Sequence, residues 1–182
     1  PTVNQSMVRS LAVDSVGRVY VGAVGEMGYL APDSTGRMGY VSLKDDLPKP
    51  YRDLDKDVWG THASSHGIYF QTYDHLYRWH EGQFDVWSFE EPLHTSFLVR
   101  DDLYLRKTHA GLLRLDGDSL QVVPGGERFD NISIYALMPR GDEAMIAATR
   151  SRGLYEMDSE GVTAMETSGS RFGRQNLVYH GA

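Results

Sequence analysis

VRSLAVDSVGRVYVGAVGEMGYLAPDSTGRMGYVSL, residues 8–43, reads as four short strands separated by three turns. Apolar and β-branched residues alternate along the runs, which suits a half-buried strand. The runs are broken by Asp14-Ser-Val-Gly17 and Asp33-Ser-Thr-Gly36. In such turns the Asp side chain bonds its own backbone and the Gly supplies a positive φ. The pattern is a strand meander.

Three later segments repeat the layout. They are VWGTHASSHGIYFQTYDHLYRWHEGQFDVWSF (58–89), TSFLVRDDLYLRKTHAGLLRLDGDSLQVV (95–123) and ISIYALMPRGDEAMIAATRSRGLYEMDSEGVTAM (132–165). Matching the second strands aligns Val19, Ile68, Leu103 and Met145, in steps of 49, 35 and 42 residues. A four-stranded propeller blade repeats at about 40–45 residues. The turns recur too: residues 65–67, 101–102 and 140–142 join strands one and two, and 80–82, 116–118 and 158–161 join strands three and four. The expected fold is therefore all-β, a β-propeller fragment of four four-stranded antiparallel blades at 7–43, 58–92, 94–124 and 132–167. The alternative is a closed four-bladed propeller.

No stretch has helical periodicity of useful length. Residues 44–57, charged and proline-containing, predict a long surface excursion between blades one and two. Residues 169–176 predict a similar loop, and Leu177 to His180 predict the innermost strand of a further blade. An arc of blades would leave an apolar face at each end. On blade one this face draws on Leu11, Val13, Val19 and Val21, and on blade four on Leu137, Ile146, Leu154 and Met157. The partners expected there are the remaining blades of a parent chain or a second copy of this one.

Composition narrows the function. Of 182 residues 41% are hydrophobic, enough for a core, and the formal charge is −7 from 18 basic and 25 acidic residues. Without a basic stripe to displace counterions, this segment is not expected to bind nucleic acid. No apolar run approaches the ~18 residues of a membrane span. The absence of cysteine excludes disulfides, thiolate metal sites and a cysteine nucleophile.

The stretch VRSLAVDSVGRVYVGAVGEMGYL, with YVSL and the VW…GIYFQT blade after it, resembles the two-component-regulator propeller repeats. GLLRL and GLYEM, at 111–115 and 153–157, keep the Gly-Leu that this family favours before the third strand. The resemblance implies a sensory propeller in a bacterial signalling protein, extracytoplasmic and membrane-anchored through other parts of the chain. Such regions often precede a three-tyrosine domain and an output domain. Two departures stand out. Family propellers usually have seven blades, and the frequent Trp of their second strands is Tyr20, Tyr69, Tyr104 and Ile146 here.

Enzymatic motifs are missing: there is no G-x-S-x-G elbow, H-E-x-x-H or P-loop. Gly22-x-x-Gly25-x-x-Gly28 has the wrong spacing for a dinucleotide loop and reads as a strand-to-strand turn. His62 and His66 sit four apart outside any helix, so their rings do not converge on a metal. No metal, cofactor or catalytic residue is expected. The aromatic load of blade two (Trp59, Phe70, Tyr77, Trp79, Trp87 and Phe89) reads as packing between sheets.

The loops between strands two and three remain. In a propeller they emerge on one face around the central channel, and here they carry Glu26, Tyr73, Asp74, His75, Lys107, His109, Arg150 and Arg152. Mixed charge with one aromatic ring suits a polar ligand or a peptide better than an apolar one, and the ligand expected is a polar small molecule or an oligosaccharide. The expected function is non-catalytic ligand sensing. A structural or dimerisation module is the alternative, followed by a propeller enzyme such as a lyase or glycosidase.

Overall fold

The computed structural model describes residues 5–179. Its strands form four antiparallel sheets in which sequence neighbours are also spatial neighbours. The first sheet holds β1 (Val8–Val13), β2 (Val19–Ala23), β3 (Glu26–Pro32) and β4 (Met38–Ser42). The second holds β5 (Gly60–Ser64), β6 (Gly67–Gln71), β7 (His75–His80) and β8 (Gln83–Ser88). The third is built of β9 (Leu93–Val99), β10 (Asp102–Lys107), β11 (Gly111–Asp116) and β12 (Ser119–Val122). The fourth comprises β13 (Ile134–Arg140), β14 (Ala144–Thr149), β15 (Leu154–Asp158) and β16 (Gly161–Ala164). Val19, Ile68, Leu103 and Met145 all lie in second strands, as the repeat predicts.

The turns use the expected chemistry. Asp14 Oδ1 accepts from the amides of Val16 (3.1 Å) and Arg18 (2.8 Å). Asp33 Oδ1 does the same for Thr35 (2.8 Å) and Arg37 (3.0 Å). The β9–β10 hairpin is tighter: Arg100 and Asp101 both take positive φ, 50° and 72°. That is the two-residue geometry whose twist matches the flanking strands.

The chain divides into two compact units, Pro1–Glu90 and Glu91–Ala182. In the first, the sheets of β1–β4 and β5–β8 bury Tyr20, Met27, Ile68, Phe70 and Tyr77. Gly22 lets the sheets approach: a Cβ there would sit 2.5 Å from Ser10 Oγ and from Thr61 Oγ1. The 44–57 connector departs from the predicted surface excursion. It makes two short 3-10 turns, Lys44–Asp46 and Lys49–Tyr51, and feeds Leu47 and Leu54 into the same core. Lys44 Nζ pins it by donating to the carbonyls of Gly25 (3.1 Å) and Leu54 (2.9 Å). A charged composition hid the spaced leucines.

In the second unit, Val99, Tyr104, Leu112, Phe129, Leu137 and Tyr155 share a core. Arg100 Nη2 donates to the carbonyls of Gly141 (2.6 Å) and Ala144 (2.8 Å), tying one blade's turn to the next. Residues 169–176, predicted as loop, lie mostly in a helix, α1 (Ser168–Gln175). Its sequence SGSRFGRQ is a poor helix former. It forms because Thr167 accepts from the Ser170 amide (3.1 Å) and because small side chains allow close packing. Ser170 is fully buried, accepts from the Leu154 amide (3.1 Å), and would collide with any Cβ at Gly153.

Leu177, Val178 and Tyr179 form no strand. Instead the Val178 amide donates to the Arg150 carbonyl (2.9 Å). His180, also assigned to that predicted strand, lies outside the described residues. Leu11 and Val13 are exposed on blade one at 59% and 60%, as predicted, whereas Val21 is buried. On blade four, Leu137 and Met157 are core residues packed with Tyr104 and Val99, not part of an open face. Among the described residues no helix is long and apolar enough to cross a membrane.

Candidate ligand-binding site

In an antiparallel meander the start of strand one and the loop from strand two to strand three lie at the same end of the sheet. In the first unit the turn after β2 is only Val24-Gly25, bridged to Asp57 and closed by the Gly25 amide donating to the Lys56 carbonyl (2.9 Å). Glu26, the first residue of β3, is just 4% exposed, and its Oε1 accepts from Ser42 Oγ (2.6 Å). It therefore buttresses the turn from within, and its carboxylate does not face solvent.

The β6–β7 loop is more open. Tyr73 at its tip is 55% exposed. Asp74 beside it forms an ion pair with Lys56, and His75 Nδ1 lies 2.8 Å from its Oδ1. Burial pushes the Asp74 carboxyl up, but Lys56 and His75 outweigh burial and hold it below the ordinary carboxylate range. The His75 ring stacks on Tyr77 (centroids 5.7 Å) and meets Tyr51 edge-on (5.4 Å). Nearby, Arg9 pairs with Asp57 (3.0 Å) and lies over the ring of Trp59, which is 52% exposed. Trp59 is thus a surface residue, unlike the packing role predicted for it.

In the second unit, Lys107 pairs with Glu91 (3.2 Å). His109 is exposed at a positive φ of 60°, held by its amide donating to the Asp130 carbonyl (3.1 Å). Arg150 and Arg152 are exposed on the β14–β15 loop. The Arg150 guanidinium lies over the Tyr179 ring at 5.4 Å, and Tyr179 meets Tyr135 edge-on at 6.2 Å. Tyr135 in turn meets His94 at 5.3 Å. Burial, reinforced by Arg106 and Arg150, holds the His94 imidazole below its ordinary value. Arg106 is 5% exposed and donates to the carbonyls of Phe129 (3.1 Å) and Asp130 (2.7 Å) and to Thr108 Oγ1 (3.1 Å).

The loops thus place Tyr73, Asp74 and His75 together in one unit. In the other, Lys107, His109, Arg150 and Arg152 stand at the same ends of their sheets. Lys56, His94, Arg106, Tyr135 and Tyr179 belong to these clusters without lying in the loops. His94 and Tyr135 enter first strands, so counting those starts along with the loops would have found them. Nothing in the sequence signals Lys56, which arrives on the folded connector. Among the described residues, no group of three or more His, Asp or Glu side chains is arranged to hold a metal.

No protein-family model matches the sequence, and no curated protein does either. Solved structures do resemble it. Virginiamycin B lyase from Staphylococcus aureus superposes with a TM-score of 0.63 at 14% identity, covering 93% of this chain and 59% of the lyase. PorZ from Porphyromonas gingivalis, a bacterial surface component of the type-IX secretion system, gives 0.60 at 14%, covering 90% of this chain and 21% of PorZ. Both are β-propeller proteins. The fold is that of a β-propeller. This propeller chain spans little more than half of the lyase and about a fifth of PorZ.

Proposed function

We propose that this propeller segment is a ligand-binding module of an extracytoplasmic bacterial sensor of the two-component type, working by binding and not by catalysis. The supporting observation is that charged and aromatic side chains gather at the loop ends: Tyr73, Asp74 and His75 in one unit, Tyr135, Arg150 and Tyr179 in the other. Asp74, ionised and committed to Lys56 and His75, suits hydrogen bonding to a polar ligand better than proton donation. The repeat resemblance supplies the signalling context. A ligand would act there by preferring one of two signalling states. The likeness to a lyase, at 14% identity, bears on fold alone.

The test is a thermal-shift screen of the chain against amino acids, organic acids and short oligosaccharides, repeated with Tyr73, Lys107, His109 and Arg152 changed to Ala. A hit weakened by those changes at unchanged circular dichroism supports the reading. A hit unaffected by them, or product formation from a screened compound, overturns it. The exposed Leu11 and Val13 favour a second role in assembly.

A further inference from the structure

We propose that the end of the second unit where Tyr135, Arg150 and Tyr179 meet binds the carboxylate of a flat organic acid. This rests on the ligand-binding reading above and adds the charge and shape of the ligand.

The charge follows from the state of the cations. Among the described residues no carboxylate pairs with the Arg150 side chain, whose only hydrogen bond is a long one from Nη2 to the Tyr179 hydroxyl (3.5 Å). Lys107, by contrast, has Glu91. Deeper in the same unit, Arg106 places a second guanidinium whose partners are two backbone carbonyls and a hydroxyl. Burial lowers the Arg106 pKa, and the nearby Asp130 charge, which forms no ion pair with it, opposes this only in part. Two guanidiniums, neither paired with an acid among the described residues, make this a place for an anion.

The shape follows from the rings. The Arg150 guanidinium lies over the Tyr179 ring at 5.4 Å, and a guanidinium without an acid partner suits a planar, bidentate acceptor. Tyr135 stands edge-on to both Tyr179 and His94, interplanar angles 71° and 86°, so aromatic surface adjoins the guanidinium. Hydrogen bonding also fixes the ligand's polarity. Thr95 Oγ1 spends its single proton on the Ile134 carbonyl (3.1 Å), so toward His94 Nδ1 (3.3 Å) it accepts. The neutral imidazole then carries its proton on Nδ1 and presents a lone pair at Nε2. A lone pair repels a carboxylate, so the acid group turns to Arg150 and the ring body to His94.

Arg150 can be truncated safely. Its loop is held by backbone bonds, the Arg150 amide to the Ser133 carbonyl (3.0 Å) and the Val178 amide to the Arg150 carbonyl (2.9 Å). The experiment is an NMR titration of the chain with benzoate and, as the neutral isostere, benzamide. We expect benzoate to shift the Tyr135, Arg150 and Tyr179 signals saturably, and benzamide to bind about tenfold more weakly or worse. Arg150→Ala should erase the preference, and Arg150→Lys should keep part of it. Equal binding of both probes at these residues would overturn the anionic assignment while leaving a ligand site in place. A benzoate response that survives Arg150→Ala, or no saturable shift at these residues, would overturn the proposed site itself.

Discussion

At Asp74 burial and charge oppose each other, and charge prevails. The ion pair with Lys56 is partly solvated, so its contribution is about 1 kcal/mol or less. Because the folded pKa lies below the unfolded value near ~4, this stability is complete above that value and is lost as pH falls through the folded one. Asp74→Asn should therefore lower the urea-unfolding free energy by about 1 kcal/mol at pH 7, and the deficit should vanish in strong acid. Arg106 is a different case, since it is buried and its donors hold the end of the Gly126–Phe129 turn. Arg106→Met leaves two carbonyls and the Thr108 hydroxyl without that donor. A loss of about 2–3 kcal/mol is expected in chemical denaturation, and Arg106→Lys should recover less than half of it, because an ammonium cannot replicate the fork.

Among the elements, the connector 44–57 carries the sharpest test. Leu47 is fully buried within the first unit's core. Leu47→Ala should cost about 2–4 kcal/mol in equilibrium unfolding, whereas a substitution in a true surface loop would stay within about 0.5 kcal/mol. The contrast marks where sequence reading succeeds. The sixteen strands of the described residues were legible because alternation and Asp/Gly turns are local signals. The connector and α1 were not, since each is stabilised by tertiary contacts that composition does not advertise: Leu47 and Leu54 in a distant core, Ser170 against Gly153. The loop residues were likewise identifiable by position. Their electrostatic states were not, because the burial of Glu26 and the pairing of Asp74 depend on Ser42 and Lys56, which are remote in sequence.

At the scale of the whole molecule, the first blade presents Leu11 and Val13 to solvent at about 60% exposure each. Apolar surface at a sheet face favours association. Light scattering of the chain should show mass rising with concentration, and Leu11→Ser with Val13→Thr should suppress the rise while leaving circular dichroism unchanged. A monodisperse wild-type monomer would contradict this. The buried connector has a further consequence, for ancestry. Repeat proteins grow by duplication and exchange of gene segments, and the boundary that seems natural on paper is the gap between two repeats. A crossover between Leu47 and Leu54 would give Leu43 and Leu47 to one parent and Leu54 and Val58 to the other, dividing one hydrophobic cluster between strangers. Shuffled descendants of this chain should therefore inherit its first two blades together.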